Sequence, residues 1–318
     1  MKVFVAAAVA VVWAAGAGCD SSSTPPPPAD AYLTLDAPAH AGAGPGGGLL
    51  DQLTFAVVGD TRPANVDDTA GYPTAVVGQI WGDVAADPAL PRFAVTSGDY
   101  MFASVTGGQV DPQLDAYLGA RAAYSGVVYP AMGNHECNGY TDSNCGPNNK
   151  DDEPANYLEF MSRMVMPLDE LHPYYIERFA ATDGSWSAKF IFVAANAWDA
   201  TQNAWVNLME TEPTTYTFVV RHEPPDSNTA PGVDPTTLIL ARFPLTMLIT
   251  GHTHTYQHVP AYREIIVGNG GAPLTSNFNY GYVIVQQQTD GTLMVTSKDY
   301  QTVAAVDQFT INPDGTLH

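Results

Sequence analysis

Gly133-Asn134-His135-Glu136 comes directly after the apolar run from Val127 to Met132, which predicts a buried strand that ends in polar side chains. Four other polar motifs follow apolar runs in the same way. They are Gly59-Asp60-Thr61-Arg62, Gly98-Asp99, His222 within Val-Arg-His-Glu, and Gly251-His252-Thr253-His254. Because open α/β sheets bind ligands at the carboxyl ends of their strands, the five motifs predict one shared polar pocket.

The polar residues of these motifs are more informative as a set than one at a time. Alone, an Asp or Asn after a strand is more often a turn former, and a lone His is more often structural. Together they offer carboxylate, amide and imidazole donors, from Asp60, Asp99, Asn134, His222, His252 and His254. This mixture suits Zn²⁺, Mn²⁺ or Fe rather than Ca²⁺ alone. We therefore expect one or two divalent or transition metal ions in the pocket.

Strand and helix patterns alternate along both halves of the chain. Helical spacing runs from Tyr72 to Ala86, between the strand patterns that precede Asp60 and Asp99. Three further strand patterns lie between Tyr282 and Ile311. The alternation predicts one α/β domain over residues 49–318, with its sheets between helical layers. A length of 318 residues is ample for such a core.

The order Gly-Asp, Gly-Asp, Gly-Asn-His-Glu, His, Gly-His-x-His resembles that of the calcineurin-like metallophosphoesterases, a family that includes the purple acid phosphatases. The similarity extends from about Phe55 to Asn269, and Gly-Asn-His-Glu and Gly-His-Thr-His are its most specific parts. The resemblance implies a two-sheet β-sandwich flanked by helices, in four layers. It also implies a hydrolase that acts on a phosphate mono- or diester.

The resemblance further implies two metal positions that share a bridging carboxylate. The first position comprises Asp60, Asp99 and His254. The second position comprises Asp99, Asn134, His222 and His252. In this reaction a metal-bound hydroxide would attack phosphorus, and His135, which would bind no metal, would protonate the leaving group. Glu136 is expected to orient a ligand or His135.

Two residues depart from the family pattern. Much of the family has Asp-x-His in the first motif, and that His binds the metal of the first position, whereas this chain has Arg62. A guanidinium has no lone pair to donate, so the first position lacks one ligand. Purple acid phosphatases have a Tyr three residues after the bridging Asp, and this chain has Phe102 there. A tyrosine-ligated iron is therefore disfavoured.

Arg62 has two interpretations. In the first, the guanidinium donates two hydrogen bonds to a phosphate group, and Arg62 then has a catalytic role. In the second, Arg62 forms only a structural ion pair with a nearby carboxylate. Tyr256, just after the last motif, also has two interpretations. Its side chain either lines the pocket or packs in the core.

The first eighteen residues have the features of a signal peptide. Lys2 precedes the apolar run from Val3 to Ala15, which is too short to span a membrane comfortably. Gly16-Ala17-Gly18-Cys19 resembles a bacterial lipobox, although ordinary cleavage after Ala17 or Gly18 is the alternative. Residues 19–48 are rich in Ser, Pro and Gly and predict a flexible tether. We expect an exported protein, either a cell-envelope lipoprotein anchored only through lipid on Cys19 or a secreted form.

Composition bears on two questions, whether the protein binds nucleic acid and whether its cysteines form a disulfide. The formal net charge is −21 and only 12 residues are Lys or Arg, so binding to a nucleic-acid duplex is not expected. Besides Cys19, the chain contains Cys137 and Cys145. An oxidising compartment favours a disulfide between them, and two free thiols are the alternative.

Two other functional hypotheses compete with a phosphoesterase. Arg62 and the acidic composition are compatible with a non-catalytic binding lipoprotein whose metal site is degenerate. His135 argues against this hypothesis, because a binding protein needs no acid for a leaving group. A serine hydrolase is disfavoured because the sequence contains no Gly-x-Ser-x-Gly elbow.

Overall fold

The structure, a computed structural model, describes residues 41–104, 106–137, 145, 155–227, 229–276 and 279–318. The strands are β1 (Gly47–Leu50), β2 (Thr54–Val58), β3 (Phe93–Thr96), β4 (Val127–Pro130), β5 (Tyr175–Ala181), β6 (Ser187–Val193), β7 (Tyr216–Arg221), β8 (Met247–Thr250), β9 (Tyr256–Val259), β10 (Glu264–Val267), β11 (Gly281–Gln287), β12 (Leu293–Asp299) and β13 (Ala305–Ile311). The α-helices are α1 (Thr74–Ala86), α2 (Val110–Arg121), α3 (Asn134–Cys137), α4 (Ala155–Phe160), α5 (Ala200–Glu210) and α6 (Val233–Leu240). Within those ranges, none of the helices has the length and apolar character needed to cross a bilayer.

Two mixed sheets carry the fold. One has seven strands in the order β1-β5-β6-β7-β8-β10-β9, and the other has six in the order β13-β12-β11-β2-β3-β4. Strands β2, β3 and β4 are parallel to one another, as are β6, β7, β8 and β10. Helices α1 and α2 pack together beside the six-stranded sheet, and α5 and α6 pack together beside the seven-stranded sheet. The predicted two-sheet sandwich flanked by helices is confirmed.

Aromatic side chains join the inner faces of the two sheets. The Phe55 ring on β2 meets Phe190 and Phe218 edge to face, with centroids 5.0 and 5.2 Å apart. The Phe93 ring on β3 stacks on Phe179 of β5 at 4.3 Å. Aromatic pairs of this kind add about 0.5–1.5 kcal/mol each beyond the burial of their area. The parallel strands of both sheets are thereby fixed against each other, and their carboxyl ends lie at the same edge.

A second apolar cluster fills the space between the seven-stranded sheet and α5 and α6. Ile191, Val219 and Leu248 point outward from the sheet, where Val206 of α5 and Ile239 of α6 cover them. This layer explains why β6, β7 and β8 read as continuous apolar runs, since both of their faces are buried.

The folded body begins before residue 49, the predicted boundary. Strand β1 starts at Gly47, where φ is +105° and a Cβ atom would lie 1.7 Å from the carbonyl oxygen of Arg178. The glycines that suggest a tether in the sequence therefore have a different role here. They allow the backbone of β1 to approach that of β5 closely. The Tyr129 hydroxyl also donates a hydrogen bond to the Gly44 carbonyl at 2.7 Å. The predicted signal peptide, Cys19 and residues 20–40 lie outside the described residues, and export and lipidation stay predictions.

Glu177 is a buried carboxyl group in the core, on the same face of β5 as Tyr175 and Phe179. Its exposed fraction is 0%. Burial, with some repulsion from Glu170, raises the pKa of Glu177 to about 9. The folded state therefore binds this proton more tightly than the unfolded chain. Its contribution to stability is complete below the unfolded pKa of 4.5 and is lost as the pH rises towards 9.

Glu177→Gln should remove this pH dependence, because the amide has nearly the same shape and does not ionise. The free energy of unfolding of the variant should exceed that of the wild type by a few kcal/mol at pH 8, since one pKa unit corresponds to about 1.4 kcal/mol. The two proteins should converge near pH 5. Urea unfolding at several pH values measures the difference. Parallel curves for the two proteins would contradict the assignment.

Candidate metal centre

Five strand ends deliver the predicted ligands to one edge of the sandwich. Asp60 follows β2, Asp99 follows β3 and Asn134 follows β4, all in the six-stranded sheet. From the seven-stranded sheet, His222 follows β7, and His252 and His254 follow β8. The structure therefore brings all six predicted ligands together, as expected for the carboxyl ends of parallel strands.

Four of these residues have left-handed backbone conformations. The φ angles are +55° at Asp60, +61° at Asp99, +68° at His252 and +47° at His254. Such a conformation is uncommon for residues other than glycine and costs about 1–3 kcal/mol each. It turns each chain sharply as it leaves its strand, and the side chain then points into the pocket. Backbone strain of this kind clusters at functional sites.

Glycines next to the ligands allow the loops to approach closely. Gly98 has φ of +107°, and a Cβ atom there would lie 2.8 Å from both the Gly133 amide and His222 Nδ1. A Cβ on Gly251 would lie 2.4 Å from the Asp60 carboxylate. The glycines of the motifs are thus required by the packing of ligand-bearing loops.

The first position contains Asp60, Asp99 and His254, whose candidate ligand atoms all lie within 4.8 Å of one another. His254 Nδ1 lies 2.9 Å from the Pro273 carbonyl oxygen, so this nitrogen carries the hydrogen and donates it. The lone pair is then on Nε2, which lies 3.5 Å from Asp60 Oδ1. A carbonyl partner that fixes the tautomer in this way is typical of a histidine that binds metal.

The second position brings Asn134, His222 and His252 into mutual contact beside Asp99. His222 Nε2 lies 3.2 Å from Asp99 Oδ1, 3.1 Å from Asn134 Oδ1 and 3.2 Å from His252 Nδ1. His222 Nδ1 donates to the Ser97 carbonyl at 2.7 Å, which directs Nε2 towards the other donors. His252 Nδ1 is also 3.1 Å from Asn134 Oδ1.

The electrostatics of this cluster call for a cation. Burial raises the pKa of Asp60 to about 8, against the attraction of His222. Burial alone would lower the pKa of His222, but the adjacent Asp99 carboxylate outweighs it and holds this pKa well above its ordinary value. In the metal-free protein a proton on His222 therefore balances the Asp99 carboxylate. A bound divalent ion would balance the same charge by replacing that proton.

His135 stands beside the ligands and belongs to neither ligand group among the described residues. Its Nε2 lies 3.7 Å from Asp99 Oδ2, and its ring meets Phe102 edge to face at 4.4 Å between centroids. The backbone carbonyl of His135 accepts a hydrogen bond from Asn156 at 3.0 Å. Burial lowers the pKa of His135 to about 3, so the free site holds an uncharged imidazole at neutral pH.

Arg62 lies over the first position, with its guanidinium against the ring of Phe102 at 4.6 Å. Arg62 Nε lies 3.5 Å from Asp99 Oδ2, and Nη2 lies 3.3 Å from His254 Nε2. Nη1 donates to the Pro63 carbonyl at 3.0 Å. The ion pair with a carboxylate is thus present. Because Nη2 faces the lone pair of His254, the guanidinium would also compete with a metal ion for this ligand.

Glu136 fixes the loop that carries the bridging Asp99. Its carboxylate accepts hydrogen bonds from the backbone amides of Asp99 and Tyr100, both at 2.8 Å, and of Gly133 at 2.9 Å. The side chain therefore orients the backbone of a ligand rather than the ring of His135.

Sequence reasoning did not identify Glu223 or the placement of Phe102. Glu223 forms one of the two candidate ligand groups among the described residues, together with His222 and His252. The signal was its position in Val-Arg-His-Glu, directly after a ligand, but adjacent residues in a loop do not reveal which of them point inward. Phe102 was noted only as a missing Tyr, whereas its ring contacts both His135 and Arg62.

Two other predictions concern residues near the pocket. Cys137 and Cys145 are not joined by a disulfide in this structure. Both residues nevertheless donate to the Asn196 carbonyl, the Cys137 thiol at 3.5 Å and the Cys145 amide at 2.7 Å. The pairing stays a prediction. Tyr256 is buried on β9, and its hydroxyl donates to Asp307 at 2.8 Å, which supports packing rather than pocket lining.

Comparisons with known proteins agree with this geometry. The family model described as calcineurin-like phosphoesterase matches residues 53–256. The fold is similar to that of purple acid phosphatase PPD1 from yellow lupin (Lupinus luteus) seeds, with a TM-score of 0.58 and 14% identity, covering 82% of this chain and 54% of that chain. This chain thus spans about half the length of the lupin protein.

Two further structures share the fold. A dimetal phosphatase from Danio rerio has a TM-score of 0.57 at 13% identity, covering 83% of this chain and 100% of that chain. GAP50, the anchor in the inner membrane complex of Plasmodium, has a TM-score of 0.54 at 12% identity, covering 83% of this chain and 90% of that chain. Identities this low show a common fold only. No curated protein sequence matches the chain at a significant level.

Proposed function

The chain belongs to the calcineurin-like phosphoesterase family, and we propose that it hydrolyses a phosphate mono- or diester in the pocket formed by the first and second positions. Membership of this family supports a metal-dependent hydrolase that acts on phosphate esters. The observation that carries the proposal is the convergence of six donor residues from both sheets, with the tautomers of His222 and His254 fixed by backbone carbonyls.

The donors of both positions fit divalent cations. Carboxylate, amide and imidazole groups suit Zn²⁺, Mn²⁺ or Fe, and the buried carboxylates need positive charge beside them. Asp99 lies between the two positions and would bridge them. Ions held there would supply Lewis acidity towards a phosphate ester and lower the pKa of water.

The residues around the donors have separate tasks in this proposal. His135 offers an N–H group to the leaving oxygen, and the negative charge of a bound phosphate raises its low pKa towards protonation. Arg62 turns its N–H groups to the phosphate oxygens while its stack on Phe102 keeps the guanidinium in place. The same phenylalanine ring also holds His135, so Phe102 positions both groups.

A substrate panel with controlled metal content tests the proposal. Metal-free protein is reloaded with Mn²⁺, Zn²⁺ or Fe²⁺ and assayed on aryl phosphate monoesters and diesters, with the bound metal counted by elemental analysis. Hydrolysis that needs the ion and disappears with chelator is expected. Absence of both metal and hydrolysis would overturn the proposal and favour a non-catalytic binding protein.

Arg62→His should strengthen the first position. The substitution restores Asp-x-His, adds a nitrogen ligand and removes a positive charge from beside Asp99 and His254. A unit charge at about 4 Å is worth up to about 4 kcal/mol at an effective dielectric constant of 20. We therefore expect the ion of the first position to bind at least about tenfold more tightly, measured by calorimetric titration of Mn²⁺.

Arg62→Lys is the matched control, because it keeps the charge without the planar fork. This variant should leave the metal affinity near that of the wild type and weaken inhibition by inorganic phosphate. Equal metal affinity in Arg62→His and the wild type would show that the guanidinium does not compete for the first position.

A further inference from the structure

Glu223 is a carboxyl group buried at the edge of the pocket. It follows His222 at the end of β7 and has an exposed fraction of 0%. Neither carboxylate oxygen has a hydrogen-bond partner among the residues that the structure describes. A buried carboxylate without partners costs several kcal/mol, so such groups are normally paired with a cation.

Two histidines of the second position lie close to this carboxylate. One oxygen of Glu223 and one ring nitrogen each of His222 and His252 all lie within 4.8 Å of one another. Three donors at this spacing can contact a single ion, because metal–ligand bonds are about 2.0–2.2 Å long. The carboxylate thus faces the same space as the imidazoles.

Arg221 is the obvious alternative partner for Glu223, but its contacts go elsewhere. Its Nε donates to the backbone carbonyl of Glu223 at 2.8 Å, and Nη1 donates to the Val233 carbonyl at 2.9 Å and to Thr237 at 3.2 Å. Arg221 Nη2 has no hydrogen-bond partner among the described residues, and the same holds for both oxygens of Glu223. The guanidinium therefore braces the loop that carries the carboxylate and leaves its oxygens open.

We propose that Glu223 is a ligand of the metal ion at the second position, together with Asp99, Asn134, His222 and His252. This inference rests on the proposed function, since it assigns a further residue to the same centre. It gives the second position two carboxylates and two imidazoles, whereas the first position has Arg62 where relatives have an imidazole. The two positions should consequently differ in affinity, with the second filled first.

Glu223→Gln tests the assignment by removing the charge and keeping the shape. Calorimetric titration of the metal-free protein with Mn²⁺ should show the tighter site weakened by roughly 10–100-fold or more, the loss seen when groups that support a metal site are removed. The melting temperature gives a second readout. Without metal the variant should melt at or above the wild-type temperature, and the rise produced by Mn²⁺ should be smaller.

Glu264→Gln is the matched control, because Glu264 is another buried carboxyl group that feels the charge of Arg221. It accepts a hydrogen bond from Thr250 at 2.7 Å and belongs to none of the candidate ligand groups among the described residues. This variant should bind Mn²⁺ like the wild type. Glu223→Asp, which keeps the charge on a shorter side chain, should lie between Glu223→Gln and the wild type.

The outcomes separate this inference from the proposed function. Wild-type Mn²⁺ affinity in Glu223→Gln would overturn the assignment, as would a lowered melting temperature of the metal-free variant, which would indicate a structural ion pair with Arg221. If Glu223→Gln does not fold, Glu223→Asp takes its place in the test. An Mn²⁺ affinity of Glu223→Asp equal to that of Glu264→Gln would then contradict the assignment of Glu223 as a ligand. A wild-type protein that binds no ion would instead refute the proposed function.

Discussion

Asp99→Asn should lower kcat/KM for every phosphate ester by about 10³-fold or more. Asp99 faces both positions, with Oδ1 at 3.2 Å from His222 and Oδ2 at 3.5 Å from Arg62. An amide in its place would remove the charge that the two positions share and would turn an N–H group towards one of them. Metal catalysis contributes several kcal/mol, and each 1.4 kcal/mol corresponds to a factor of ten. Steady-state kinetics with parallel elemental analysis measure the loss.

The fold should survive this substitution, because Asn tolerates positive φ better than most residues and Asp99 has φ of +61°. Asp169→Asn is the matched control, since Asp169 has φ of +62° on an exposed turn outside the pocket. It should retain wild-type kinetics and metal content. Full activity in Asp99→Asn would remove the basis for a bridging carboxylate.

His135→Gln should lower kcat by about 10²–10⁴-fold for esters with poor leaving groups, the range for loss of a positioned acid. The loss should be much smaller for 4-nitrophenyl phosphate, because that oxygen departs without a proton. Metal content should not change, since His135 is outside both ligand groups among the described residues. The measurement is the ratio of kcat for an alkyl ester to kcat for the 4-nitrophenyl ester, determined for the wild type and for the variant. This ratio should fall in His135→Gln.

A structural role for His135 predicts a different pattern. If the ring only packs on Phe102, both kinds of ester should lose activity equally, and Phe102→Leu should reproduce the effect. Equal losses would therefore exclude His135 as the group that protonates the leaving oxygen.

The sequence predicts the centre better than its surroundings. Each predicted ligand follows an apolar run, and the geometry of parallel strands brings such positions together whatever the loops contain. Glu223 and Phe102 could not be predicted, because their orientation depends on loop conformations that no periodicity encodes. The same limit applies to Arg62, since the sequence shows that a ligand is missing but not that the guanidinium contacts Asp99 and His254.

Three secondary-structure elements outside the motifs are not predicted correctly by the sequence pattern. The predicted tether includes Gly47 and Gly48, the first half of β1, because glycine lowers the expectation of order. Gly47 is nevertheless what lets the backbone approach β5. Strand β9 is a four-residue edge strand, too short for its alternation to be recognised. Helix α6 begins within a segment rich in Pro and Asp, and its buried residues become visible only against the sheet.

The division of ligands between the two sheets has a mechanical consequence. Asn134 and His222, which are 88 residues apart and 3.1 Å from each other, belong to opposite layers of the sandwich. An ion at the second position is therefore a removable cross-link between the layers, comparable to a disulfide that closes a long loop. Chelation should loosen the carboxyl-end edge while the aromatic core keeps the sheets together at their centre. Occupancy of the centre would thus set how easily the two layers separate, and with it the resistance of the protein to proteases.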